Sequence, residues 1–250
     1  MTHTLPTEPT YEGLGEFHDL SMTAPWERLR PHVRTLFAGL PATSTVADLG
    51  AGSGMGTRVL AQESGVRIVA LEPSLVMRSV LTARVGDSPD LSRRVTVLAG
   101  ALPVDLDALP RPLDGCVCAH MLGHLDTSAR RRLWRGLADR CTTGAVGLVT
   151  TEERHEDDLA RTGRRAGEPL VETRVLGGLE YRAVYRDAGT LGSTDRFSTT
   201  YQVLADGELL REATFAGSWA PVSYEVLVDE LGSSGLRART LAPGVAAITR

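Results

Sequence analysis

Four glycines at every second position, Gly50, Gly52, Gly54 and Gly56, follow an apolar run that ends in an aspartate, in the stretch VADLGAGSGMGT at residues 46–57. A β-rich run that stops at Asp48 and gives way to bare backbone, then to the helical pattern MGTRVLAQES, reads as strand, turn and helix. Glycine lets main chain approach a ligand with no Cβ in the way. Gly50, Gly52 and Gly54 are placed for that, whereas Gly56 is assigned to close helix–strand packing. Such a turn belongs at the carboxyl end of the first strand of an open parallel sheet, where ligands bind at the reversal of strand order.

The rest of the chain supplies that sheet. TVADL, VRIVALE, RVTVLAG, LDGCVCAH and GAVGLVTT are short β-rich runs, and MGTRVLAQES, SLVMRSVLTARVG and TSARRRLWRGLADR are helical stretches among them. Strands alternating with helices mean a parallel sheet covered on both faces. Before it, residues 11–40 have a helical pattern, with TAPWERLRPHVRTLFAGL as a second helix opened by Thr23 and Pro25. After Thr151 the alternation stops. EERHEDDLARTGRRAGEP reads as charged helix and loop, and Leu170 to Trp219 as antiparallel strands with a two-residue hairpin turn at Asp206-Gly207. VSYEVLVDELGSSG returns to helix, and LRARTL and GVAAITR form a closing hairpin around Pro243-Gly244.

Composition removes several chemistries. The chain has no Lys and no Asn, so all 27 basic residues are Arg. P-loop, kinase-type and Schiff-base lysines are excluded together. A net charge of -4 gives no global attraction to nucleic acid or to an acidic membrane, and the run RRRLWR at 130–135 is read as the solvated face of a helix. Cys116, Cys118 and Cys141 have no framework spacing and read as buried thiols of a reducing compartment, not metal ligands. The first ten residues lack a signal-peptide pattern and no apolar window approaches a membrane span. A cytoplasmic protein is expected.

A dinucleotide fingerprint, G-x-G-x-x-G/A, fails here because Met55 or Thr57 falls where its last small residue belongs. Asp48-x-Gly50-x-Gly52-x-Gly54 instead resembles motif I of the class I S-adenosylmethionine (SAM)-dependent methyltransferases. RIVALEPS, ending the second strand at Glu72, is similar to that family's acidic position and lies 22 residues beyond Gly50. A carboxylate there accepts both hydroxyl protons of a ribose. The resemblance spans roughly residues 40 to 151 and implies a Rossmann-like α/β doubly wound sheet of seven strands, the last antiparallel, with an inserted small antiparallel sheet and an N-terminal helical lid. It also implies SAM as cofactor. Gly50, Ala51, Gly52 and Gly54 would line its methionine and ribose, Asp48 would accept from its amino group directly or through water, and Glu72 with Pro73 would hold the sugar. Ala101 and Leu102 would flank adenine. The family often has Asp where Ala101 stands, so adenine would be left to backbone contacts. The corresponding divisions are a disordered tail at 1–10, the lid at 11–40, the SAM-binding core at 41–152, a substrate cap at 153–220, and a C-terminal helix with closing hairpin at 221–250.

AHMLGHLD, after the fourth strand, resembles the Gly-His loop of amino-sugar N,N-dimethyltransferases, with Gly123 and His124 as the pair. EFHDLSM is also similar to that group, which more often has Tyr at the position of His18. A sulfonium already activates its methyl group, so the protein has to place a nucleophile in line and exclude water. Phe17 and Trp26, on the lid, are candidates to face the cation. His124 is the first candidate base and His120, which also lines the cofactor, the second. No metal is expected: Glu152 and Glu153 follow strand five, yet Asp126 reads as a helix N-cap before TSARR. The acceptor is expected to be a small-molecule or peptide-derived metabolite of natural-product biosynthesis, an amine first and a hydroxyl second, with no nucleic acid or membrane partner. The edges of the inserted strands leave room for a homodimer. A nicotinamide oxidoreductase and a SAM-fold protein that transfers no methyl group stand as rivals.

Overall fold

The computed structural model describes residues 15–152, 168–192 and 194–250. The tail at 1–10 and the charged segment at 153–167 lie outside the described residues. A seven-stranded sheet is formed by β1 (Thr45–Leu49), β2 (Arg67–Glu72), β3 (Val95–Ala99), β4 (Leu113–Cys118), β5 (Cys141–Thr150), β10 (Arg237–Ala242) and β11 (Val245–Thr249) in the order β10-β11-β5-β4-β1-β2-β3. β1 pairs in parallel with both β2 and β4, so the direction of winding reverses between β1 and β4. β11 is antiparallel both to β5 and to the edge strand β10.

Strand periodicity divides the core into two faces. Val46, Ile68, Val117 and Leu148 pack with Trp26, Leu29, Val33 and Phe37 of α1 (Gly15–Phe37) and Val59 and Leu60 of α2 (Met55–Glu63). Ala47, Leu49, Val69, Leu71 and Val149 face the other way, onto Leu133, Trp134 and Leu137 of α5 (Thr127–Arg140) and Leu227 and Leu231 of α6 (Tyr224–Leu231). Cys116 and Cys118 share that second face, as alternation predicts, and all three thiols are buried and free. α3 (Leu75–Gly86) and the short α4 (Pro89–Arg94), which the sequence reading passed over, complete the β2–β3 crossover. Asp126 caps α5 by accepting from the Ala129 N–H at 2.7 Å.

Two expectations are corrected. Among the described residues the lid is one helix and not two: Pro25 and Pro31 both lie inside α1. Proline removes one donor and strains its own turn, but Trp26, Leu29, Val33 and Phe37 form a buried stripe at helical spacing that holds the axis through both prolines. Nor is RRRLWR a solvated face throughout. Arg130 is only 4% exposed and its guanidinium meets the Glu230 carboxylate of α6, itself 2% exposed, at 2.7 Å.

β6 (Leu170–Leu176), β7 (Leu179–Leu191), β8 (Thr194–Ala205) and β9 (Glu208–Trp219) form a separate antiparallel sheet in that order. The Asp206-Gly207 turn has both residues at positive φ, 49° and 83°, the requirement of a two-residue hairpin. One face of this cap closes on α1 through Phe17, Ala183, Tyr201 and Val203. No helix among the described residues is long and apolar enough to cross a membrane.

Candidate active site

The carboxyl ends of β1, β2 and β4 open together at the winding reversal. Gly50 and Gly52 have φ of 69° and 56°, left-handed conformations that glycine adopts without strain. The N–H groups of Gly50 and Ala51 both donate to the Leu71 carbonyl at 3.0 Å, which pins the turn against β2. Glu72 is buried at the end of β2. One oxygen accepts the Gly52 N–H and the other the Ser74 N–H, each at 2.8 Å. Burial raises its pKa, and these two backbone hydrogen bonds oppose the rise. A carboxylate offers about four lone-pair positions, so two remain after the backbone has been served. This is where the sequence places a ribose, beside a loop whose amides are already in register.

Asp48 lies deeper, 2% exposed, accepting from the Thr57 hydroxyl at 2.6 Å. Desolvation pushes its pKa up to about 6, with the Glu72 charge adding to the rise. Its observed role is to join the end of β1 to the first turn of α2. Gly54 and Gly56 serve packing. A Cβ on Gly56 would stand 2.5 Å from Cζ2 of Trp26, so this glycine admits α1 against α2 and not, as expected, a helix against a strand.

After β3, the Ala101 N–H donates to Asp105 at 2.7 Å. The backbone contact expected to take over from the absent aspartate is therefore already occupied, and Asp105 brings a carboxylate back to the same loop from four residues on. Leu102 is half-buried beside it and packs against the core, while Pro73, after Glu72, is exposed.

The lid meets the loop through residues other than those expected. Phe17 is turned to the cap, stacked on Tyr201 at 4.6 Å, and Trp26 is buried between α1 and α2. Successive helical residues are about 100° apart, so with Phe17 facing the cap it is His18 that reaches the glycine turn. A Cβ on Gly52 would come 3.5 Å from His18 Cε1. Next to it, Asp19 accepts from the Ser53 hydroxyl and from the Arg84 guanidinium of α3, while Arg84 also donates to the Ser53 carbonyl at 2.6 Å. Burial alone would raise the Asp19 pKa, but hydrogen bonds from His18, Ser53 and Arg84 outweigh it and hold the carboxyl well below the usual range. No local pattern marks this latch, since its partners are 34 and 65 residues apart.

The two candidate bases differ. His120 has φ of 57°, unusual for a residue with a Cβ, and its N–H donates to the Thr150 hydroxyl at 2.8 Å. Its ring lies edge-on to Trp26 at 5.7 Å, with Nε2 buried and without a hydrogen-bond partner among the described residues. Burial, then the charges of Arg28 and His18, lower its pKa to about 4, which makes it a weak base at neutral pH. His124 sits on the 3-10 turn Leu122–His124 and keeps a solvent-exposed edge. Its other side packs edge-on to Trp219, ring centres 4.5 Å apart, and desolvation lowers its pKa. Gly123 makes that approach possible, because a Cβ there would stand 2.6 Å from Trp219 Cζ2. The Trp219 indole N–H donates to Glu152, just past β5, and burial raises the pKa of that carboxyl. Trp219 comes from the end of the cap, 95 residues beyond His124, and nothing in AGSWAP signals the meeting.

The same arrangement of elements occurs in solved structures. A SAM-bound amino pentose methyltransferase from Micromonospora echinaspora, involved in calicheamicin biosynthesis, superposes with a TM-score of 0.69 at 16% identity, covering 100% of each chain. The chain has the fold of the class I methyltransferases. A sugar N-methyltransferase from a Streptoalloteichus species gives 0.68 at 16% identity, over 100% of this chain and 96% of that one. A glycopeptide N-methyltransferase complexed with sinefungin gives 0.59 at 19% identity, over 88% and 83%. A scan against protein-family models and a search of curated proteins find no match. Across the first of these methyltransferases the likeness covers the core, lid and cap together.

Proposed function

We propose that this chain is a SAM-dependent methyltransferase acting on an amine of a small-molecule or peptide-derived metabolite in natural-product biosynthesis. The observation that carries the reading is the Glu72 carboxylate, buried at the end of β2 and hydrogen-bonded to the Gly52 N–H of the turn after β1. In this reading the two free lone-pair positions of Glu72 would take the hydroxyls of a ribose diol beside the half-buried turn. The solved methyltransferases of the same fold act, by their descriptions, on an amino pentose, a sugar nitrogen and a glycopeptide nitrogen, which favours nitrogen here.

SAM, when bound, supplies a methyl group already activated by the sulfonium. The chain's own residues then hold and position. Glu72 and the Gly50–Gly54 turn would grip the nucleoside, and His18, fixed by the Asp19–Ser53–Arg84 latch, would close over Gly52. Covering the turn with α1 excludes water from the transfer. His124, on the β4 loop and with its pKa lowered by desolvation, would take the proton that the amine must lose. His120, with its pKa lowered to about 4 and its Nε2 buried, fits a wall of the pocket better than a base.

The test is incubation with methyl-labelled SAM and parallel pools of amino sugars, their hydroxyl counterparts and glycopeptide amines. Label in the amine products supports the reading. Label confined to hydroxyl products overturns the choice of nitrogen, and a protein that binds SAM yet labels nothing is the non-transferring rival.

A further inference from the structure

Glu152 has no role in the account so far, although it lies just past β5 and holds the indole that packs against His124. Its backbone N–H donates to the Val222 carbonyl at 2.8 Å, and the Gly123 carbonyl accepts from the Ala220 N–H at 3.1 Å. These two bonds fasten the stretch after β9 to the ends of both β4 and β5. Trp219 is held between them, its indole N–H on Glu152 and its ring against His124. Asp195 pairs with Trp219 across β8 and β9 and contributes a like charge to the Glu152 environment. No arginine among the described residues forms an ion pair with Glu152. A half-buried carboxylate with an acid as neighbour and a neutral indole as its donor is stabilised by a cation that meets it.

We infer that Glu152, held in place by the Trp219 indole, forms the seat of the acceptor's amino group, so that this site selects a basic nitrogen over a hydroxyl. The inference rests on the methyltransferase reading and names the acceptor class of that same site. The charge balance of the transfer explains why a carboxylate is useful there. An ammonium group held at Glu152 first gives one proton to His124 or water; the lone pair so freed forms the new N–C bond while the S–C bond of the donor breaks, and sulfur keeps that electron pair as a neutral thioether. The positive charge of the sulfonium thus reappears on the methylated nitrogen, beside Glu152. A fixed carboxylate stabilises the product side of that displacement more than the start.

Trp26, Trp134 and Trp219 are the chain's only tryptophans, so the protein gives three indole N–H signals, of which that of Trp219 reports on the seat. Nitrogen-15-labelled protein saturated with S-adenosylhomocysteine (SAH) is titrated with benzylammonium chloride and, in parallel, with benzyl alcohol, the Trp219 signal being assigned from Trp219→Phe. The expected result is a saturable shift of the Trp219 signal with the amine and none with the alcohol over the same range. Glu152→Gln, which keeps an acceptor for the indole, should weaken amine binding at least tenfold, and Glu152→Asp should restore part of it. An equal response to amine and alcohol in the wild-type protein overturns the inference without any variant being needed. So does a response that persists unchanged in a folded Glu152→Gln, or one that appears only at Trp26 or Trp134. If SAH itself does not bind, the methyltransferase reading falls, and the amine titration of the SAH-free protein still decides the Glu152 seat on its own.

Discussion

Replacing Gly56 by alanine puts a methyl carbon 2.5 Å from Cζ2 and 3.1 Å from Cζ3 of Trp26. Carbon atoms pack at about 3.5–4.0 Å, so the indole or the whole of α1 must retreat by roughly 1 Å. Trp26 is buried within the cluster that includes Leu29, Val33 and Met55, which leaves the ring little freedom to turn away. Overpacking of this kind costs about 1–3 kcal/mol, offset by at most about 1 kcal/mol of helix propensity gained in α2. A net loss of about 1–2 kcal/mol corresponds to a Tm lowered by roughly 2–8 °C in a chain of this size. Because α1 carries His18 over Gly52 and Asp19 onto Ser53, the same retreat should weaken SAH binding several-fold. Calorimetric melting and SAH titration of Gly56→Ala, Trp26→Phe and the double variant check both effects. The smaller ring should recover part of the loss, giving a coupling of at least about 1 kcal/mol between the two positions. A Gly56→Ala protein as stable as the parent, or strictly additive effects, would refute the claim that this glycine exists to admit Trp26.

Other outcomes follow from the site. His124→Ala should lower turnover at least tenfold with SAH affinity within a few-fold. The wild-type rate should fall as pH drops through the lowered His124 pKa, since the base is lost on protonation, and that limb should vanish in the variant. Asp19→Asn should speed SAH dissociation several-fold, read by stopped flow, because the neutral amide no longer fixes Arg84 and Ser53; an unchanged rate would show that the latch does not control the cleft. Arg130→Met strands the Glu230 carboxylate in the core and should cost about 3–5 kcal/mol in chemical denaturation. Adding Glu230→Leu should return most of it, and a small single-variant effect would mean that water reaches the pair.

Elements with a strong local signature were legible in the sequence. The parallel sheet follows from apolar runs of strand length separated by helical patterns, the hairpin at Asp206-Gly207 from its turn residues, and the α5 cap from Asp126. The glycine turn and Glu72 were legible for the same reason: spacing within one β-α-β unit is fixed by geometry, and the structure brings these residues within hydrogen-bonding distance. What could not be read depends on pairs distant in sequence. Pro25 looked like a helix start because the stripe that overrides it is tertiary, and Arg130 looked solvated because its partner is 100 residues away. Aromatic character singles out Phe17 and Trp26, but the rotation of α1, set by the cap and by Gly56, turns His18 to the glycine turn in place of either. Trp219 and Glu152 met only once the cap had folded back onto the β4 loop.

Isothermal titration with SAH, on the parent protein and on Glu72→Ala, tests the central claim most directly. The account predicts saturable one-to-one binding to the parent and a loss of at least tenfold in the variant, whose melting curve should stay cooperative. Folded parent protein that gives no heat with SAH, or a Glu72→Ala variant that binds it as tightly, would contradict it.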